Sequence, residues 1–344
     1  MNFCNPARLI PIASSLIIFF SVTSSISYAQ TFKSVSESNP VFTKLFGKNW
    51  KTLGGKQFWT DIHHCGGWRI QENAVSGHFR LLDHENRKQL SGTFQECLDR
   101  KNQLLNSGDM EPHQGRVVIV LHGLMRATGS MRKLAQYLRD YGDFAAVDFE
   151  YASTRRPVAY HAEALAKVID SLGPDVTEIN FVAHSMGNIV VRHFLADIEQ
   201  RTLDREFGRM VMLGPPNQGS KMATVMRWSF LFNVIAGPAG IQLGAGWDKL
   251  EPHLATPNFE FGIIAGGQSE RQKLSNYLLN GKDDFTVSVE ETRLPGATDF
   301  MVRPLLHATM MSQAVTLKAT LNFLENGYFE SAEKRVPIPC ASKE

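Results

Sequence analysis

The segment Glu178–Gly187, E-I-N-F-V-A-H-S-M-G, constrains this chain more than any other stretch. Ile179, Phe181 and Val182 form a short apolar run that stops at a polar pair, His184 and Ser185. Beyond Gly187 the period changes from strand to helix. Val190, Phe194 and Ile198 recur every four residues, and Ile189 and Leu195 widen the stripe. A strand, a one-serine turn and a helix make the setting of a nucleophile elbow. The turn lifts Ser185 Oγ out at the carboxyl end of the sheet. It also aims the first helical N–H groups, beginning with Met186, at any oxygen that becomes negative beside the serine. Strand and helix nearly touch at such a turn, which demands small residues on either side, and Ala183 and Gly187 supply them. The competing reading is a serine that only caps the helix, since Ser is a favoured N-cap.

The elbow sits inside a repeating pattern. Val117–Leu121 is an apolar run suited to a strand buried on both faces of a parallel sheet. Helical spacing follows in Met131, Leu134, Ala135 and Leu138 and ends at Gly142. Next come a strand at Phe144–Phe149 and a helix at Val158–Leu172, stopped by Gly173-Pro174. After the elbow helix, Arg209–Leu213 reads as a strand, Phe261–Ala265 as another, and Phe285–Val289 as the last clear one. Ser312–Leu324 makes a terminal helix, and from about Asn326 the chain turns polar and is expected to fray. This order predicts a doubly wound, mostly parallel α/β sheet over 111–330, with its binding crevice outside the carboxyl ends of the strands. Residues 220–258 break the rhythm. Their apolar stretch from Met222 to Ile235 suits either a core helix or a lid and acyl-pocket wall.

The opening of the chain is different in kind. In residues 1–29 Arg8 is the single charge, Leu9–Phe20 is mostly apolar, and Ser27-Tyr28-Ala29 offers small residues where a signal peptidase cleaves. The apolar core is shorter than the roughly 20 residues that span a bilayer. A cleaved secretory signal is expected, and with it a periplasmic or extracellular location. In such an oxidising compartment Cys65 and Cys97 could pair as a disulfide closing a loop of about 30 residues. Residues 30–110 read as an extension packed on the main domain. Alternation in Trp68-Arg69-Ile70 and His78-Phe79-Arg80-Leu81 predicts a small hairpin or meander. Thr93–Leu105 fits a strand or a short helix. The extension has too few apolar residues for a core of its own, and 331–344 is a polar tail.

Charge narrows the function. A net charge of +2 with no long basic run leaves no footprint for nucleic acid. His63-His64-Cys65 lacks a matching second group at metal-ligand spacing, so no metal site is expected. A serine hydroxyl needs a base, and the base an orienting carboxylate. Downstream of Ser185 the candidates are Asp283 or Asp284, just ahead of Phe285, and His307, before the last helix. The order Ser, Asp, His is that of the nucleophile-elbow hydrolases. His184 leaves the elbow in another direction and is expected to be a packing or hydrogen-bonding neighbour.

Taken together, Leu121-His122-Gly123-Leu124, Ala183-His184-Ser185-Met186-Gly187, Gly214-Pro215-Pro216-Asn217-Gln218-Gly219-Ser220 and His307-Ala308-Thr309-Met310-Met311 resemble a known set. They are similar to the bacterial lipase/esterase branch, triacylglycerol lipase-like, of the α/β-hydrolase superfamily, over about residues 116–325. The resemblance implies Ser185 as nucleophile, His307 as base, and the backbone N–H groups of Leu124 and Met186 as the oxyanion hole. It selects Asp284 as the acid, although Asn and Gly of the family's Asn-Asp-Gly turn are here Asp283 and Phe285. Ala183 stands where a glycine is commoner. The implied activity is hydrolysis of a small-molecule or lipid ester with no cofactor, in transient contact with a lipid surface. The same triad could serve an amidase or an acyltransferase, and the scaffold could persist as an inactive binding protein.

Overall fold

The computed structural model describes residues 57–197, 206–219, 230–267 and 287–340. The expected signal segment, Asp283 and Asp284 lie outside the described residues.

Four antiparallel strands come first: β1 (Trp59–Cys65), β2 (Trp68–Asn73), β3 (Phe79–Leu82) and β4 (Lys88–Gly92), paired in chain order. The helix α1 (Phe94–Asn106) follows, which settles the strand-or-helix alternative for 93–105. Its start is fixed by a capping box, in which Thr93 Oγ1 accepts from the Glu96 amide while Glu96 Oε2 accepts from the Thr93 amide.

The second sheet is built from β5 (Gly115–Leu121), β6 (Ala145–Phe149), β7 (Val176–His184), β8 (Glu206–Leu213), β9 (Phe261–Gly266) and β10 (Asp299–Arg303). Its spatial order is β10-β9-β8-β7-β5-β6, and every pairing is parallel. The helices between them are α2 (Arg132–Tyr141), α3 (Val158–Asp170), α4 (Met186–Ala196), α5 (Phe230–Leu243) and α6 (Trp247–Leu250), with α7 (Ala314–Asn326) after β10. The protein is therefore a doubly wound, parallel α/β fold with an antiparallel sheet ahead of it.

Alternation explains the layers. Val117, Ile119 and Leu121 of β5 join one core with Phe181, Ile189 and Leu165. Val118 and Val120 join the other with Leu134, Leu138 and Phe323. Ile70, Leu81, Cys65 and Cys97 of the antiparallel sheet and α1 belong to the first of these cores. Their burial comes from packing on α1 and, through β1, on α3.

Three expectations are corrected. Cys65 and Cys97 are free, buried thiols that pack as small apolar groups in that core, with no disulfide between them. The last strand is β10, whereas Val287–Val289 is a loop running into a short turn at Glu290–Thr292. The segment after α7 is tied down through 338. Buried Asp299 accepts from the amides of Phe329 and Val336, and the Ile338 amide bonds to Ala297 O. Of the lid-like stretch, Ala236, Ala239, Leu243, Trp247 and Leu250 are core residues, and α5 bends at Gly237.

Candidate active site

Between β5 and β7 the strand order reverses. The chain leaves β5 toward β6 on one side, and leaves β7 toward β8 on the other. A crevice opens at the carboxyl ends of such a pair. Leu121 is in register with Ala183, so the residues that emerge into that crevice are His122-Gly123 from one strand and His184-Ser185 from the other.

Ser185 holds the junction of β7 and α4 at φ 53° and ψ −122°. A non-glycine residue at positive φ is costly and is kept only where its surroundings enforce it. Here the Ser185 amide donates to Leu213 O at 2.9 Å, and Ser185 O accepts from the Asn188 amide and from Asn188 Nδ2. The serine is partly exposed while Met186 behind it is fully buried. Met186 is the first residue of α4, so its N–H has no acceptor within the helix. The turn is as tight as the sequence predicted, since a Cβ on Gly187 would stand 2.8 Å from His122 O.

The loop after β5 lies against the elbow. A Cβ built on Gly123 would sit 3.0 Å from both Ser185 Cβ and His184 Nδ1. Leu124 follows, half-buried, and its side chain meets α5 near Gly240. The loop is fastened by its own polar atoms. The Met125 amide donates to Ser153 Oγ at 3.0 Å, the Arg126 amide to Gly123 O at 3.2 Å, and Tyr151 Oη donates to His122 O.

His307 comes from the loop between β10 and α7 and folds back over this crevice. The His184 Nε2–H donates to its carbonyl at 2.9 Å, and the two imidazole centroids are 4.7 Å apart. Burial, reinforced by His307, drives the His184 imidazole well below its ordinary value. It is therefore a neutral anchor for the loop that carries His307. Gly214, at φ 53°, passes under the ring, where a Cβ would stand 2.8 Å from His307 Nδ1. Arg192 and Asn217 fix the loop that begins at Gly214. Arg192 Nη1 donates to Asn217 O and Oδ1, and Asn217 Nδ2 donates to Thr292 O.

The described residues thus bring Ser185, His307, Met186 and Leu124 to one crevice. Asp283 and Asp284 belong to the chain between β9 and β10, outside the described residues. Sequence reasoning missed Glu150, Tyr151 and Ser153, which line the back of the loop 122–125. The available signal was their place at the carboxyl end of β6. Among the described residues no group of three His, Cys, Asp or Glu side chains is arranged to hold a metal. No described helix is long and apolar enough to cross a membrane.

Residues 86–246 match a family described as a domain of unknown function, DUF7379. No curated protein sequence matches the chain. Among solved structures, it is similar to the lipase BlEst2 of Bacillus licheniformis, with 18% identity, TM-score 0.44, and coverage of 60% of this chain and 91% of that one. It is also similar to the lin2722 product of Listeria innocua, with 16% identity, TM-score 0.44, and coverage of 67% and 99%. A thermophilic esterase from Thermogutta terrifontis gives 14% identity, TM-score 0.42, and coverage of 63% and 92%.

Proposed function

We propose that this chain is a serine carboxylic-ester hydrolase of the esterase/lipase type, exported by its N-terminal segment to the periplasm or beyond. The observation that carries the reading is Ser185, held at positive φ between strand and helix, with the His307 loop hydrogen-bonded to its neighbour His184. An ordinary helix cap needs no such strain.

In the proposed cycle His307 takes the proton from Ser185 Oγ as that oxygen attacks the ester carbonyl carbon. The N–H groups of Met186 and Leu124 receive the oxyanion, a role in which one donor is typically worth roughly 3–4 kcal/mol. The tetrahedral intermediate collapses, the bond to the alcohol breaks, and His307 returns the proton to the leaving oxygen. Water, deprotonated by the same imidazole, then releases the acid and regenerates the serine. Asp284, in preference to Asp283, is assigned to orient the imidazole.

An apolar acyl group suits the mouth. Met125 in the oxyanion loop and Leu306 beside His307 are large apolar side chains left exposed. A lipid or other greasy ester is therefore the favoured substrate class. The test is hydrolysis of p-nitrophenyl esters of graded acyl length by wild type and Ser185→Ala. Turnover that vanishes in the variant and rises with chain length agrees with the reading. A folded wild type inert on every ester contradicts it.

A further inference from the structure

The loop 122–125 is held from behind by a relay that begins in the antiparallel sheet. Its first link is a reciprocal pair between β1 and the end of β6. The Asp61 amide donates to Glu150 O at 2.8 Å, and the Glu150 amide donates to Asp61 Oδ2 at 2.7 Å. Two further bonds flank it, from the Ala152 amide to Thr60 Oγ1 at 3.1 Å and from Thr154 Oγ1 to Gln57 Oε1 at 2.5 Å. β1 and Gln57, two residues ahead of it, thereby grip residues 150–154 along their length.

The second link runs from 150–154 to the loop. Tyr151 Oη donates to His122 O, and the Tyr151 ring stacks on the His122 imidazole at 4.2 Å and 9°. Ser153 Oγ accepts from the Met125 amide. Glu150 Oε2 accepts from both the amide and the hydroxyl of Thr128, at 3.1 and 2.7 Å. His122 Nδ1 is 2.9 Å from Gly123 O, and because a carbonyl only accepts, Nδ1 carries a proton. Nε2 is then the ring's acceptor, with the Tyr151 amide 3.4 Å away as its donor and Glu150 Oε1 at the same distance, too far for a hydrogen bond.

Asp61 is itself placed rather than merely buried. Fully inaccessible, it accepts from Gln71 Nε2 at 2.7 Å, lies 3.6 Å from Arg69 Nη1, and is backed by Arg80, which donates twice to Gln71 Oε1. Two buried carboxylates are costly to desolvate, and each here gives one oxygen to a backbone amide of a distant segment, the Glu150 N–H for Asp61 and the Thr128 N–H for Glu150. Removing either carboxylate would leave the Glu150 or the Thr128 amide without its acceptor, so the pair fixes the orientation of the segments it joins.

We propose that Asp61 and Glu150 are positioning residues for the oxyanion loop, and that the antiparallel sheet is the outer half of the catalytic site's support. This deepens the reading of Ser185 as a nucleophile and rests on it. It predicts that the relay sets where the Leu124 N–H points, and so acts on the transition state rather than on substrate binding.

The experiment compares wild type with Asp61→Ala, Asp61→Asn, Glu150→Ala, Glu150→Gln and Tyr160→Phe. The last breaks a different bond between the two sheets' surroundings, Tyr160 Oη to Glu72 Oε2 at 2.9 Å, and leaves the relay whole. The first readout is backbone hydrogen exchange, which needs no turnover. The hydrogen-bonded amides of Met125 and Arg126 should exchange at least about tenfold faster in both alanine variants, while those of β5 and β7 hold. Tyr160→Phe should change neither. The second readout is ester kinetics. kcat should fall about 10- to 100-fold in Glu150→Ala with KM nearly constant. Glu150→Gln should recover most of it, since an amide can accept from Thr128 and donate to Nε2. Loop exchange that stays at the wild-type rate in both Asp61→Ala and Glu150→Ala overturns the proposal, as does an equal effect from Tyr160→Phe. Should an alanine variant not fold, Asp61→Asn decides, since its single oxygen cannot serve both the Glu150 amide and Gln71: faster loop exchange supports the relay and the wild-type rate overturns it. A wild type without esterase activity would refute the serine reading alone, and the exchange data would still decide the relay.

Discussion

Gly214→Ala tests the geometry around His307 with a single methyl group. The backbone there stands at φ 53°, where an alanine costs roughly 1–2 kcal/mol. The new Cβ would meet His307 Nδ1 at 2.8 Å, His307 Cε1 at 3.0 Å and Met310 Sδ at 3.1 Å. Comfortable contact begins near roughly 3.5 Å, so the imidazole must retreat by roughly half an ångström or more. Displacements of about 1 Å in a catalytic group cost on the order of 100-fold in rate. A fall in kcat of about 10- to 100-fold is therefore expected, equivalent to about 1.4–2.7 kcal/mol of barrier. The stability loss should be no more than the backbone strain, a decrease in Tm of a few degrees at roughly 2–4 °C per kcal/mol. Kinetics on a p-nitrophenyl ester and a thermal melt of the same preparation give both numbers. A variant with wild-type kcat, or one impaired only in KM, would refute the idea that Gly214 makes room for a catalytic imidazole.

Other consequences can be checked on the same protein. Iodoacetamide should alkylate exposed Cys340 in the native state, but Cys65 and Cys97 only after denaturation and without reductant. Burial raises both thiols, Cys97 to about 11, and a requirement for reductant would reinstate the disulfide. Thr93→Ala removes the cap of α1 and should cost about 1 kcal/mol in denaturant unfolding, with no change in ester kinetics. Burial, with Lys101 nearby, lowers His63 from 6.5 to about 4, so folding disfavours its protonated form. Its contribution is intact above pH 6.5 and is lost as pH falls toward 4. His63→Asn should flatten the acid limb of stability against pH by up to about 1.4 kcal/mol per pH unit. An unchanged slope would show that His63 is free to protonate in the folded chain.

The parallel sheet was legible because strands buried on both faces leave unbroken apolar runs, as Val117–Leu121 does, and because the elbow changes period within one turn. The helix α1 stayed open against a strand, because its apolar residues are spaced too loosely to reveal a period; the signal that went unread is Thr93 and Glu96, three residues apart. β10 was not legible, since Asp299–Arg303 begins and ends on charged residues and leaves Val302 exposed. The free thiols could not be read from spacing, which says only that a loop could close. Nor could the relay through Asp61 and Glu150, two carboxylates 89 positions apart that each reach a backbone amide of a distant segment. Side-chain pattern says nothing about which amide a distant carboxylate will meet.

Labelling with a fluorophosphonate, followed by peptide mapping, bears most directly on the central claim. It reports the activated serine without requiring the natural substrate. The account predicts one covalent adduct, on Ser185, absent in Ser185→Ala and formed far more slowly in His307→Ala. A folded protein that takes up no label, or takes it up at another residue, would contradict it.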